Sequence, residues 1–313
     1  MPFFSVIIPL YNKADYISDC LESALNQSFA DYEIIIVNDG STDSSVAKVE
    51  TFTSAKIKLF HQDNLGVSKA RNNAASFAKG TFIAFLDADD IWKPNHLECI
   101  KANINFRPNA GLYANNYAIK YNKTLVLPAK LNVDLSQSKP MVIDDFFKAS
   151  MYDTLVWTSA AAIKKDKFFD YDRFNTNYAT GEDLDLWIRI ALKESVVFNP
   201  ESTMIYNKSI EGSLSKEDDD RSRSIFLNSF TEYEDDNLYL KKYLDFKRYG
   251  LALRTKINGQ SKIYKDTLKT IDFKNLNFKQ TLLLKTPTIL LKYLNKIRPY
   301  VIKNRLYLML FKG

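Results

Sequence analysis

A chain of 313 residues, 46% hydrophobic and 26% charged, is long enough to bury a large core and has a globular composition, which excludes disordered and fibrous classes. Two cysteines without a CxxC spacing and only two histidines, His61 and His96, argue against a disulfide framework, a zinc site and a Ser-His-Asp hydrolase, leaving any chemistry to carboxylates. The net charge of +6 divides unevenly: residues 241–313 hold 18 Lys and Arg against 3 Asp and Glu, residues 1–240 carry −9, and two regions with opposite partners are implied.

Phe4–Pro9 reads as a buried strand and Tyr11-Asn12-Lys13 as the loop at its C-terminal end. Ile17, Leu21, Ala24 and Leu25 within Asp15–Gln27 follow the stripe of an amphipathic helix. Glu33–Asn38 is a second, β-branched strand, and it runs into the turn Asn38–Asp43, whose Gly, Asp and Ser residues also cap the next helix. A third strand at Ile57–Phe60, a polar loop from His61 to Gly66 and a helix from about Ser68 to Ala78 come next, and Gly80 leads into a fourth strand, Phe82–Leu86. Strands alternating with helices at this spacing predict right-handed βαβ crossovers and an open, mostly parallel sheet. No GxGxxG follows the first strand and no P-loop occurs, so nucleotide recognition, if present, uses other groups.

Three aspartates, Asp87, Asp89 and Asp90, close the fourth strand. Carboxylates at the end of a buried strand suit a hard cation such as Mg²⁺ or Mn²⁺, at the sheet edge where α/β proteins bind ligands. They equally suit an acidic turn capping the helix after Pro94.

Beyond Arg107 the pattern loosens. Tyr113–Tyr117 and Leu155–Trp157 are candidate strands, and Phe168–Tyr178 is an aromatic, polar loop that suits either the C–H face of a sugar or anchorage by its own rings. Gly181–Leu192 opens a helix with Glu182, Asp183 and Asp185 in its first turns, where acids complement the helix dipole. Glu217–Asp220 and the charged stretch to Glu234 read as exposed helix or linker.

From Leu238 the chain turns basic, with Leu283, Leu290, Leu294, Ile297 and Val301 on one helical face and Lys285, Lys292, Lys296 and Lys303 largely off it. Pro287 is placed to start one helix and Pro299 to separate a second, Tyr300–Phe311. Such a segment suits an anionic membrane surface, an oligomer contact or a helical pair folded back on the acidic part. Neither a leader pattern nor an apolar run of about eighteen residues is found, and a cytoplasmic protein, peripheral at the inner membrane face through its tail, is expected.

Five stretches, Ser5–Asn12, Glu33–Asp43, Gly66–Asn72, Phe85–Asp90 and Gly181–Trp187, stand in the order and with the residues that resemble family 2 glycosyltransferases, over about residues 4–215. The resemblance implies an α/β GT-A fold: an open, mostly parallel nucleotide-binding sheet flanked by helices, here with a helical, basic C-terminal extension at 216–313. Within 1–215 it implies a nucleotide-sugar half at 1–106 and an acceptor half at 107–215. It further implies an inverting transfer from a nucleoside diphosphate sugar, a UDP-sugar, to a glycan or lipid-linked glycan acceptor, as in cell-surface polysaccharide synthesis.

Carried over by position, Pro9, Tyr11 and Asp39 surround the base, Arg71 lies near base and pyrophosphate, and Asp87 reaches the ribose. Asp89 binds the divalent metal, Mn or Mg, and Asp183 is the general base, with Glu182, Asp185 and Trp187 as acceptor or supporting residues. One departure stands out: many members have a metal-binding histidine just before a Ser-Leu-Ser string, whereas Ile210 precedes Glu211-Gly-Ser-Leu-Ser215 here. A site of Asp89, diphosphate and water is therefore expected, and a non-catalytic nucleotide-sugar-binding or scaffold protein of the same fold is the alternative. A nucleic-acid partner, suggested only by the basic tail, is not expected.

Overall fold

The structure, a computed structural model, describes residues 1–210 and 220–303, with residues 297–303 as backbone alone. The chain divides into two compact units, Met1–Glu217 and Asp218–Gly313.

In the first unit β1 (Phe4–Leu10), α1 (Ile17–Leu25), β2 (Tyr32–Asp39), α2 (Ser45–Glu50), β3 (Ile57–Gln62), α3 (Val67–Phe77) and β4 (Phe82–Phe85) alternate as the apolar pattern predicts. The four strands lie in the order β3-β2-β1-β4, every pair parallel. Each position of β1 and β2 is buried, because helices cover both faces, and this is why the strands read as unbroken apolar runs rather than alternating ones. The chain moves outward from β1 to β3 and then returns to β4 on the other side of β1. That reversal opens a crevice at the carboxyl ends of the strands. A close approach fixes the entry to β4: a Cβ on Gly80 would stand 2.5 Å from the Ser5 nitrogen and 2.6 Å from the Phe4 carbonyl carbon.

The unit continues with β5 (Ile91–Trp92), α4 (His96–Phe106), β6 (Leu112–Lys120), β7 (Val126–Pro128), β8 (Met141–Ile143), α5 (Phe146–Ala149), β9 (Ala161–Lys164), α6 (Lys165–Asp170), α7 (Glu182–Ala191) and β10 (Val196–Asn207). Among the described residues these complete a ten-stranded sheet, β3-β2-β1-β4-β9-β6-β10-β5, with β7 on β6 and β8 on β10. Beyond β4 the pairing is mixed: β9 is antiparallel to both β4 and β6, whereas β10 is parallel to β6.

Tyr113–Tyr117 lies inside β6, but Leu155–Trp157 is not a strand. It leads into a 3-10 turn, Thr158–Ala160, and the strand follows at Ala161–Lys164, registered Ala162 on Ala84 and Lys164 on Phe82. β10 escaped the pattern because Pro200 interrupts it; register shifts between Asn199 and Ser202 absorb the proline there, as bulges do. Part of the aromatic loop is helical, and its rings anchor rather than display. Phe168 and Phe174 are buried, with ring centroids 5.7 and 5.2 Å from Phe85. Cys20 and Cys99 are buried free thiols.

The second unit consists of α8 (Asp220–Asn228), α9 (Leu238–Ile257), α10 (Ser261–Thr270), α11 (Phe278–Lys285) and α12 (Thr288–Lys303). Asp220 and the stretch to Glu234 are therefore helix and short turns; Glu217–Asp219 lie outside the described residues. Helix α9 is the hub, burying Leu240, Tyr243, Leu244, Leu251 and Ala252. Its two buried charged residues have partners: Asp245 receives Lys241 Nζ at 3.0 Å, Arg248 Nη1 at 3.3 Å and Asn275 Nδ2 at 2.8 Å, and Arg248 also binds Glu234.

Two details of the basic tail are corrected. Leu283 lies on α11 and Leu290 on α12, so the expected apolar face does not run along one helix; within these two helices the described residues Leu284 and Leu291 are the buried leucines, and Leu290 is exposed. Helix α12 runs through position 299, since the fixed φ of proline is itself helical and its cost, one missing N–H and local crowding, does not end the helix. The remainder of the expected Tyr300–Phe311 helix, from 304 onward, lies outside the described residues. No helix among the described residues is long and apolar enough to cross a membrane.

Candidate active site

The loops after β1 and β2 are laced together by side chains. The backbone N–H groups of Asn12, Lys13 and Ala14 donate to Ser41 Oγ (3.1 Å), Ser45 Oγ (2.8 Å) and Asp43 Oδ2 (3.0 Å). In return Asn12 Oδ1 accepts from the Thr42 N–H at 2.8 Å, with Asn12 itself at φ 48°. The turn rich in Gly, Asp and Ser thus holds the neighbouring loop as well as leading into α2.

Pro9 is buried in β1 opposite Val37, and Tyr11 stands exposed just past the strand. Asp39, buried at the end of β2, accepts from Gln62 Nε2 (2.7 Å) and the Leu65 N–H (2.8 Å) on Oδ1, and from the Gly66 N–H (2.9 Å) on Oδ2. A carboxylate has about four lone-pair sites, so one on Oδ2 is left for a further donor. Gly66, at φ 89°, makes the left-handed turn that starts α3 and aims its N–H at Asp39.

The acidic turn after β4 separates its three carboxylates by partner. Arg71, reaching in from α3, places Nη2 2.6 Å from Asp87 Oδ1 and Nη1 2.8 Å from Glu182 Oε1. The buried guanidinium so bridges the end of β4 to the start of α7. Burial opposes its charge, yet Asp87 and Glu182 outweigh this and hold its pKa above the ordinary arginine value. Asp89 pairs with Lys13 Nζ at 2.7 Å; burial raises its pKa, and the lysine only partly offsets that. Asp90 points inward, accepting from Ser159 Oγ (2.6 Å) and the Asn207 N–H (3.0 Å), and burial beside Asp89 and Asp87 pushes it well above the carboxylate range. Ser159 Oγ also accepts the Asp87 N–H at 3.0 Å, and Ser159 O accepts Trp92 Nε1 at 2.6 Å. One residue of the 3-10 turn thereby clamps the whole acidic turn.

At the start of α7 the three predicted acids part company. Asp183 is half-buried and accepts Thr158 Oγ1 at 3.0 Å and the Leu184 N–H at 2.7 Å. Glu182 is buried, and burial together with the neighbouring Asp183 raises its pKa to about 7 despite Arg71. Asp185 turns to Arg189, at 2.9 Å to Nε and 2.7 Å to Nη2, and Arg189 in turn holds the carbonyls of Tyr171 and Arg173. It anchors the aromatic loop. Trp187 is fully buried against Phe85 and Phe174, at 6.1 and 6.0 Å between centroids, and presents no surface to a ligand.

Lys13, Gln62, Thr158, Ser159 and Asn207 were not singled out from the sequence. Lys13 alone had a local signal, its place beside Tyr11 in the first loop. The others reach the site through pairings distant in the chain. Beside Thr158, Trp157 lies with its ring centroid 4.0 Å from that of Tyr206.

The donor set fits a divalent cation only sparingly. Asp87 and Asp90 are engaged by Arg71, Ser159 and Asn207, so Asp89 is the one acid of the turn whose partner, a lysine ammonium, occupies the place of a counter-ion. Among the described residues no group of three or more His, Cys, Asp or Glu is arranged to hold a metal. Ile210 is buried and aliphatic, and Glu211–Ser215 lie outside the described residues.

Comparisons with known proteins give this geometry a family. The crystal structure of TarS 1-349 from S. aureus in complex with UDP-GlcNAc superposes with a TM-score of 0.69 at 20% identity, covering 92% of this chain and 88% of that one, and shares its GT-A fold. Chondroitin synthase from Pasteurella multocida (strain Pm70) is 29% identical over 215 residues, 68% of this chain and 21% of that protein. The Escherichia coli UDP-Glc:alpha-D-GlcNAc-diphosphoundecaprenol beta-1,3-glucosyltransferase WfgD is 38% identical over 123 residues, 39% of this chain and 48% of that one. The chain thus spans about a fifth of the first relative and about half of the second. The profile of Glycosyl transferase family 2 matches residues 5–168, the stretch that builds β1 to β4, the acidic turn and its Ser159 clamp, and the chain belongs to that family.

Proposed function

We propose that the chain is an inverting transferase that moves a sugar from a nucleoside diphosphate sugar, a UDP-sugar, to a hydroxyl of a glycan or lipid-linked glycan in cell-surface polysaccharide synthesis. The observation that carries this reading is the Arg71 bridge, which ties Asp87, on the nucleotide side, to Glu182, the neighbour of Asp183. A base and a donor-binding group held through one buried cation keep a fixed separation, as in-line displacement requires. Relatives lend support: WfgD is named for a UDP-glucose donor, and the TarS crystal holds UDP-GlcNAc. On this reading residues 1–106 form the nucleotide-sugar half and 107–215 the acceptor half, and 216–313 are a separate extension.

Pro9 and Tyr11 would flank the base, and the remaining acceptor position of Asp39 would take its N–H. Asp183, oriented by Thr158, accepts the proton of the acceptor hydroxyl as that oxygen bonds to the anomeric carbon. The bond to the diphosphate oxygen breaks on the opposite face, the electron pair leaves with the nucleoside diphosphate, and the configuration inverts. Arg71 and Lys13 are the cations that would meet the developing negative charge. Asp89 would hold Mg²⁺ or Mn²⁺ with diphosphate and water as the other ligands, and such an ion supplies further charge neutralisation at the leaving group.

Asp183→Asn tests the assignment. Turnover in an acceptor screen should fall by about a hundred-fold or more while calorimetric UDP binding is unchanged; retained turnover removes Asp183 as the base. A second reading, nucleotide-sugar binding without transfer, is favoured by Ile210 where a metal-binding histidine is common. UDP binding by the wild-type chain with no turnover on any acceptor would establish it.

A further inference from the structure

The second unit carries a surface that the transfer chemistry does not use. Helices α11 and α12 both pack against α9, and Leu284 on the first and Leu291 on the second are buried. The start of α11 is fixed by a reciprocal cap, Asn277 with Gln280, and its end by Tyr264 Oη donating to the Leu284 carbonyl at 3.1 Å. The backbones are therefore set, and the outward faces follow.

On α11 that face presents Phe278, 82% exposed, then Leu282 and Lys285; on α12 it presents Ile289, 85% exposed, then Tyr293 and Lys296. Each series runs apolar, apolar at i+4 and lysine at i+7, so its members share one side of the helix, and each buried leucine stands well round from it, at about 100° per residue. The second series repeats the first eleven positions later. Leu290, Lys279 and Lys292 are exposed beside these stripes. Two exposed apolar stripes, each aligned along one side of its helix and ending in lysine, mark an interaction surface.

Charge decides the occupant. Between residues 273 and 303 there are seven Lys and Arg and no Asp or Glu. A second copy of the same face would set cation against cation, and a dry protein interface would have to bury the interleaved lysines. An anionic bilayer meets both demands, with hydrocarbon for the rings and leucines and headgroup phosphates for the ammonium groups. We infer that α11 and α12 are a dock for an anionic lipid surface, seating Phe278, Leu282, Ile289 and Tyr293 at the headgroup boundary with Lys285 and Lys296 against the phosphates. The inference stands whether or not the first unit transfers a sugar.

Flotation of the full chain with phosphatidylcholine vesicles, with and without phosphatidylglycerol, at low and high salt, tests it. Binding should require phosphatidylglycerol and weaken with salt. Phe278→Ser with Ile289→Ser should reduce it at both salts, and Lys285→Gln with Lys296→Gln should reduce it mainly at low salt, about five-fold per lysine. Circular dichroism should find both variants as helical as the parent. Equal binding to neutral vesicles, no binding to anionic ones, or undiminished binding by the serine variant overturns the proposal. Self-association of the parent that the serine variant abolishes also overturns it and makes the face a contact between copies.

Discussion

Glu182→Gln isolates the cost of a buried acid. Glu182 lies against Arg71 Nη1 at 2.8 Å with Asp183 beside it, and its pKa is raised from 4.5 to about 7. Between those two values the folded chain holds a proton that the unfolded chain has released, so stability falls as pH rises through the interval and is greatest below it. At 1.36 kcal/mol per pKa unit the full loss is about 3 kcal/mol, most of it between pH 5 and 8. The glutamine keeps a carbonyl oxygen for Arg71 and does not titrate.

Urea unfolding followed by tryptophan fluorescence reads this cleanly, because Trp92, Trp157 and Trp187 all lie in the first unit. The wild type should lose about 2–3 kcal/mol more than the variant between pH 5 and 8. Asp89 and Asp90 also titrate with folding, but they do so in both proteins and drop out of the difference. Parallel profiles for the two proteins would refute the reasoning and place the proton elsewhere in the cluster.

Three further substitutions probe other parts of the molecule. Gly80→Ala drives a methyl group into the backbone of Phe4 and Ser5 and should cost about 2–4 kcal/mol in the same urea assay; an unchanged midpoint would mean that the two strands separate freely. Asp39→Ala leaves Gln62 and the Leu65 and Gly66 N–H groups without their acceptor and should abolish UDP binding while destabilising the first unit by about 2–4 kcal/mol, seen by calorimetry alongside unfolding. Arg248→Met removes the buried guanidinium shared by Glu234 and Asp245 and leaves them Lys241 as a common cation, a loss of about 3 kcal/mol, the low end for a broken buried pair. Hydrogen exchange should report it in α9 with no change in the tryptophan transition of the first unit, and unaltered protection of α9 would refute it.

The β1-to-β4 part of the sheet was legible because strands buried on both faces write themselves as unbroken apolar runs, and βαβ spacing then leaves few topologies. Past residue 107 that logic failed for physical reasons. β9 is four residues long and built on alanines that fit between β4 and β6, so the larger apolar residues just before it attracted the assignment. β10 is cut by Pro200, which the fold accepts at a register shift. In the site, types and positions along the chain were readable, but partners were not. Three acids at the start of α7 look alike in sequence; only the structure separates Asp183, facing Thr158, from Glu182 under Arg71 and Asp185 on Arg189. Ser159 gives no sign in the sequence of what it does, since its bonds to Asp87 and Asp90 span 72 and 69 residues.

The interlaced loops after β1 and β2 bear on how this edge of the sheet can change over evolution. Where main-chain N–H groups cradle an anion, recognition is written in backbone geometry, and altering it means rebuilding the loop. Here the N–H groups of Asn12, Lys13 and Ala14 already end on Ser41, Ser45 and Asp43. On the proposed function, a diphosphate arriving at this edge would meet side chains, Lys13 from the loop after β1 and Arg71 from α3, each replaceable singly while the frame beneath stays put. Selectivity at such an edge is modular: ligand preference can drift one substitution at a time, and the serine and aspartate lattice that carries it is free to stay constant.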